Sequence, residues 1–577
     1  MPAYVSNQSQ YSMRKTDAVA ANSPATPFHH FLIAIVAALV LGLAAAQATA
    51  GAASTSADEP GSNIESAEPG SEVEATDAAP QTTAKSAFQP ASVSVDFSVP
   101  QGKLLRTERI NTWDNGDPVP DLRADDVAFL NEQGLHADLV RVGFGFDGLC
   151  DVMDTGAGCH GEGGGDPMCD VTTNTCDFSS LAGWLGDISD ATDALVVHLT
   201  PRGFIQQKRP PADTQALLTL TIRELKRQFP KINYIEALNE PDWVFHGAQI
   251  YRRKDPVLQP NEVYAYYVPF YRAVNEVNAE LPQGQRIKVG GPAFTGMTES
   301  WMTAFLDGYA ADENPEKRLD FISYHGYGEF SDDFKQYIPY KSDPSEVSTQ
   351  RARLDEWLKE RKLTAGLPAL ITETGIYPGP SFDEPDPSKN DYVRQAAGLA
   401  SMHYWWAGQK EIYPFNWVVR HGSQGRKDQL ITRTPDGPLA DTFSPYGNML
   451  VMQSRMKDNK VEATSDSLTE GQGVYAVASK DKSGASVMVW NYQHINNGRF
   501  RTTIDMSGLP SELGDGPVRQ TLYRIDQTTS NYWTDPDKAN LQQVGESIVT
   551  PQDSHSETVD LEPNAIYLIL LEPVDRQ

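Results

Sequence analysis

The segment KINYIEALNEPDW, Lys231 to Trp243, ends an apolar run with an asparagine, a glutamate and a proline, and ALITETG, Ala369 to Gly375, ends another such run near a second glutamate. A carboxyl group at a strand tip can donate or accept a proton, or attack carbon, and two of them facing across a bond can divide those tasks. Glu240 and Glu373 lie 133 residues apart in the chain, so their cooperation needs a fold that gathers distant strand ends at one mouth. Glycoside hydrolysis is the reaction that asks for such a pair, an acid/base and a nucleophile roughly 5 to 5.5 Å apart when configuration is retained. Glu236 precedes Glu240 by four residues on the same face and is expected to lie deeper and take no part.

The elements that would position this pair are legible as alternation. The apolar runs RINTWDNG, ADLVRVGFGF, DALVVHLTP, NYIEALNEP, RIKVGGPAF, DFISYHGYG, ALITETG and IYPFNWVV make eight strand-like segments. Amphipathic stretches separate them, among them Asp213–Phe229, Asn261–Leu281, Pro344–Lys362 and Tyr392–Ala407. Strands apolar on both faces alternating with helices predict an α/β TIM (β/α)8 barrel over residues 92–440, whose chemistry sits at the C-terminal strand ends. From residue 441 to 577 the pattern changes to short alternating runs such as GVYAVAS, ASVMVWNYQ and FRTTIDM, which predict a C-terminal antiparallel β-sandwich. The period-two segment SVSVDFSV at Ser92 has the sandwich pattern although it precedes the barrel.

The ordered set Arg141 in LVRVGF, Asn239-Glu240-Pro241, His325 and Tyr327 in FISYHGYG, and Glu373 resembles the retaining clan of TIM-barrel glycoside hydrolases, and most of all glycoside hydrolase family 39, the β-xylosidase and α-iduronidase family. The resemblance implies Glu240 as general acid/base with a raised pKa and Glu373 as nucleophile, kept ionised by Arg141 and Tyr327. It implies that Asn239 contacts the sugar 2-hydroxyl, that His198 and His325 line the same subsite, and that Trp417 stacks on a sugar face. Members of the family usually place a histidine and a glycine soon after the arginine, whereas this chain reads Arg141-Val142-Gly143-Phe144, and Thr374-Gly375 stands where an aromatic residue often follows the nucleophile.

The net charge of −29, from 77 acidic and 48 basic residues, excludes a nucleic-acid partner. Arg14 and Lys15 precede the apolar run Phe31–Ala46 and a small-residue stretch, which reads as a secretory signal cleaved after about Ala48 or Ala50, with an uncleaved membrane anchor as the alternative. Residues 51–91, acidic and poor in large apolar side chains, read as a disordered linker, so the folded part is exported. Cys150, Cys159, Cys169 and Cys176 cluster after the second barrel strand, without a Cys-x-x-Cys pair. In an exported chain they predict two disulfides of open pairing, within a loop expected to shape the outer subsites.

The sequence therefore predicts a secreted retaining glycosidase, nearest to a β-xylosidase, acting on an oligosaccharide or polysaccharide with no metal and no organic cofactor. Two alternatives differ in testable ways. An endo-acting exopolysaccharide hydrolase or β-glucuronidase-like enzyme needs a cation for a uronic acid, for which Arg202, Arg420 and His421 are candidates. A carbohydrate-binding protein with an inactive barrel would not need both glutamates. The indole pair Trp405 and Trp406 falls in a helical stretch and is expected to pack in the core.

Overall fold

A computed structural model describes residues 87–113, 123–146, 168–245, 257–327, 343–376, 391–419, 430–431, 442–469, 471–493, 498–509, 513, 516–550 and 554–574. The leader, residues 51–86 of the linker, Cys150, Cys159, Arg420 and His421 lie outside them. Among the described residues no helix is long and apolar enough to cross a membrane.

The chain begins with β1 (Gln89–Lys103) and then enters the barrel through β2 (Ile110–Thr112) and β3 (Ala137–Gly145). A small hairpin of β4 (Cys169–Asp170) and β5 (Thr175–Cys176) follows, and the barrel continues through β6 (Thr192–Thr200), β7 (Ile232–Ala237), β8 (Lys288–Phe294), β9 (Phe321–Tyr327), β10 (Ala369–Gly375) and β11 (Ile412–Asn416). Eight parallel strands close in sequential order, with β11 back beside β2.

Alternation along these strands divides two cores. Leu139, Val196, Tyr234, Phe321, Leu370 and Phe415 plug the barrel interior, whereas Val140, Val142, Val197, Ile235, Ile322 and Ile371 face the helices. The covering helices supply the matching stripe. On α1 (Arg123–Glu132), α2 (Ser179–Asp190), α3 (Arg202–Gln206) and α4 (Gln215–Gln228) the pattern is clearest in the last, where Leu218, Ile222 and Leu225 are fully buried at helical spacing. Each such side chain contributes about 1.5–3 kcal/mol by leaving water.

The rest of the outer layer is α5 (Pro241–Val244), α6 (Val263–Glu280), α7 (Glu299–Ala311), α8 (Gln350–Glu360), α9 (Asp391–Trp406) and α10 (Pro445–Arg455). On α9, Trp406 is fully buried and donates to Gln350 at 2.9 Å, and Trp405 donates to the Tyr475 hydroxyl at 3.1 Å.

Beyond the barrel run β12 (Asn459–Ser465), β13 (Gly473–Asp481), β14 (Gly484–Tyr492), β15 (Phe500–Ser507), β16 (Val518–Ile525), β17 (Gln542–Val549), β18 (Ser554–Leu561) and β19 (Ile566–Pro573). With β1 they form a nine-stranded sheet in the order β17-β16-β19-β14-β13-β12-β1-β15-β18. It curls over one core in which Val95 and Phe97 of β1 meet Val487, Ile504, Val559 and Ile569. Its pairings are antiparallel apart from the parallel β1–β15 pair.

Two boundaries differ from the sequence reading. The segment at Ser92 belongs to the sandwich whose pattern it carries, so the barrel starts later than residue 92, and β1 begins at Gln89, inside the stretch assigned to the linker. The barrel also runs past residue 440. Pro445 at the first position of α10, with the Ser444 hydroxyl accepting from the Gly447 amide at 3.1 Å, starts a helix that closes the last barrel unit.

Candidate active site

Arg141 stands in the middle of β3, not at its end, and its side chain is 1% exposed. Three of its nitrogens serve three acceptors. Nε donates to Glu236 Oε2 at 2.7 Å, Nη1 to Glu373 Oε1 at 2.7 Å and Nη2 to Asn239 Oδ1 at 2.6 Å. With its oxygen committed to the guanidinium, the Asn239 amide keeps its NH2 group as the donor for a ligand.

Glu373 owes its aim to an irregularity in β10. Ile371 pairs with Tyr324 of β9, but the next partner of His325 is Glu373, so Thr372 is an extra residue on its strand. The same shift recurs toward β11, where Ile371 pairs with Pro414 and Thr374 with Asn416. Strict alternation from Leu370, which points inward, would turn residue 373 toward the helices. The bulge turns it back into the barrel. There its second oxygen accepts from the Tyr327 hydroxyl at 2.6 Å.

Glu240 reaches the same place by a different device. The chain leaves β7 through two left-handed residues, Leu238 at φ 68° and Glu240 at φ 45°. Conformations of that kind cost on the order of 1 kcal/mol each for residues with a side chain. They persist because the turn is tied on both sides. The Glu240 amide donates to Ala293 O at 2.8 Å, and Asp242 accepts from the Thr295 amide at 3.1 Å and its hydroxyl at 2.6 Å. Burial, with Glu240 nearby, pushes the Asp242 carboxyl up to about 7.

Between the glutamates lies His325, whose Nδ1 is 2.9 Å from Glu240 Oε1 and 3.5 Å from Glu373 Oε2. One donor atom from each of Glu240, His325 and Glu373 falls within 4.8 Å of the other two, so the two carboxyl groups face each other at that range. Such a trio has the spacing to hold a divalent cation, but the Arg141 guanidinium bonded to Glu373 would repel one.

The electrostatics divide the groups. Burial pushes the Glu373 carboxyl above the ordinary range, opposed by His325 and Arg141, reinforced by Glu240 and opposed again by the Tyr327 hydroxyl. Burial holds His325 down to about 4. Its ring is therefore neutral at pH 7, which leaves Arg141 as the full positive charge beside Glu373. Arg141 and Tyr327, the neighbours expected to keep Glu373 ionised, both favour its charged form, and desolvation outweighs their pull.

The His325 side chain has no exposed surface and joins the two carboxyl groups. His198 lies over Gly143, where an added Cβ would fall 1.4 Å from His198 Nε2. The space above Gly143 is thus filled by an imidazole from the neighbouring strand. Trp417 follows β11 directly, half-buried, with its amide donating to Thr374 O at 3.3 Å.

Cys169 and Cys176 are bonded to each other, and their hairpin packs against α4 on the barrel flank. Arg202 opens α3 immediately after β6. Two residues of this assembly carried no expected role: Glu236, placed deeper on the same face as Glu240 and given no part, and Asp242, which the sequence did not single out. A fully buried acid in an interior-facing strand position is the signal for the first.

No protein-family profile and no curated protein matches the sequence. Solved structures do match in three dimensions. A glucosidase from Croceicoccus marinus aligns over 84% of this chain and 100% of its own at a TM-score of 0.60 and 16% identity. A bacterial orthologue of human α-L-iduronidase aligns over 85% of each chain at 0.61 and 14%. A monomeric β-xylosidase from Caulobacter crescentus aligns over 84% of this chain and 100% of its own at 0.58 and 14%. At these identities the likeness is one of architecture: the chain shares with these glycosidases a fold that runs through both its barrel and its sandwich.

Proposed function

We propose that the protein is an exported retaining glycoside hydrolase, with Glu373 as nucleophile and Glu240 as general acid/base. The observation that carries this reading is the approach of the two carboxyl groups to within 4.8 Å at the barrel mouth, which suits the roughly 5 to 5.5 Å of a double displacement and not the roughly 6.5 to 9.5 Å that leaves room for water. In the first step Glu373 Oε2 or Oε1 bonds to the anomeric carbon as the glycosidic C–O bond breaks, and the Glu240 proton passes to the departing oxygen. In the second, Glu240 takes a proton from water, whose oxygen bonds to the anomeric carbon as Glu373 leaves with the bonding pair. Configuration is retained after two inversions.

The neighbours suit these roles. Arg141 and Tyr327 bind Glu373 through separate oxygens, which fixes the carboxylate plane before substrate arrives. The Asn239 NH2 group serves the sugar 2-hydroxyl, and Trp417 offers an apolar platform at the rim. A β-linked xyloside is the substrate nearest to this reading, and the xylosidase and iduronidase among the structural neighbours keep pentosides and uronides first in the panel to be screened. Export is supported by the leader-like N-terminus and the Cys169–Cys176 bond, which an oxidising compartment preserves.

The test is chemical rescue on the aryl glycoside that the panel shows is turned over fastest. Glu373→Ala should lose turnover by about four orders of magnitude or more. Azide or formate should restore part of it with inverted product. Azide added to Glu240→Ala should give a glycosyl azide of retained configuration. Near-normal activity in both single variants would end the proposal.

A further inference from the structure

We infer that Glu236 is a positioning residue that sets the plane of the Arg141 guanidinium and shares its charge, so that Glu373 meets an arginine already half-satisfied. This deepens the glycosidase reading and rests on it. The donors of a guanidinium fan out in one plane, so the group that captures Nε fixes where both Nη groups point. Here the captor is Glu236, and the two Nη groups then meet Glu373 and Asn239. One strand, β7, thus anchors the arginine at Glu236 and delivers Asn239 and Glu240 three and four residues later.

Glu236 has no exposed surface, and its Oε1 has no hydrogen-bond partner among the described residues. A buried ion pair is a poor source of stability, and an apolar side chain of similar size would serve packing as well or better. What an apolar side chain could not do is divide the guanidinium charge. An arginine that belonged to Glu373 alone would stabilise the free carboxylate more strongly than the state in which that charge is passing to carbon, which lowers nucleophilicity. With Glu236 in place, Glu373 is oriented without being fully neutralised.

The experiment compares Glu236→Gln and Glu236→Asp with the parent enzyme on the best aryl glycoside, every rate normalised to sites counted with a slow-turnover fluorinated glycoside. The glutamine keeps an acceptor and removes the charge. It should lower kcat by about 10- to 100-fold with KM within about threefold, and move the acid limb of kcat/KM to lower pH, because a negative neighbour of Glu373 is gone. The aspartate keeps the charge and draws it back by one methylene. It should lower kcat while leaving the acid limb in place. A glutamine variant with parental kcat per site and an unmoved limb overturns the inference, as does one whose whole loss lies in fewer titratable sites. If the glutamine variant does not fold, the aspartate decides: parental kcat per site overturns, and a lowered kcat with a fixed limb supports. An active Glu373→Ala enzyme would remove the glycosidase reading itself, whereas an inactive one beside a parental Glu236→Gln removes only this inference.

Discussion

At Glu373 two opposing influences meet, and their balance sets a pH response. Burial raises its carboxyl pKa, so the ionised nucleophile is lost as pH falls through a value above the ordinary glutamate range. Tyr327 works against burial by donating to the ionised form, so Tyr327→Phe should push the acid limb of kcat/KM to higher pH, opposite in sign to the shift expected for Glu236→Gln. A hydrogen bond to a charged group is worth about 1.5–3 kcal/mol, so kcat should drop by roughly 10- to 100-fold, read from pH profiles with the aryl substrate. The two glutamates were legible as residue types at strand ends. The histidine between them was legible only as a neighbour, since its full burial and its two carboxyl contacts depend on how β7, β9 and β10 are staggered around the barrel.

Those strands carry information that alternation cannot show. The eight runs and the helices between them could be read from periodicity because each buries a face against the next layer. The extra residue at Thr372 leaves no mark in a two-residue period, yet without it Glu373 would point outward. Likewise β12 and β17 are largely polar and bury few side chains, so they escaped a pattern built on buried faces. The glycine in β3 is a positional requirement of the same kind. A methyl at 143 would overlap the His198 ring, so Gly143→Ala should cost about 1–3 kcal/mol in denaturant unfolding and lower activity by displacing the imidazole. If both are unchanged, the packing of His198 on β3 is wrong.

Across the whole molecule, the junction of barrel and sandwich contains a buried histidine that links stability to pH. His403 on α9 has Nδ1 3.0 Å from the Thr107 hydroxyl and 3.3 Å from Gln453, and burial holds it down to about 3. The unfolded chain takes up this proton below about pH 6.5 and the folded one does not, so stability is complete above that value and falls as pH drops toward 3. At pH 4.5 the loss is about 2–3 kcal/mol, and His403→Gln should remove that part of the slope. Asp242 acts with the opposite sign over part of the same range, since it keeps a proton in the folded state up to about pH 7. Both proteins share it, so the difference between their slopes isolates His403. Equal slopes in urea titrations at pH 8 and 4.5 would refute the assignment.

The β1 strand has the longest reach. It lies between β12 and β15, with Val93 paired to Ser465 on one side and to Ile504 on the other. The barrel is therefore an insertion within the sandwich sheet. In synthesis order Val93, Val95 and Phe97 are made before the barrel and must be kept from other partners until β12 and β15 emerge. Sheet closure thus waits on strands made after the whole barrel. A prematurely terminated chain would carry an adhesive apolar strand that its own barrel cannot cover.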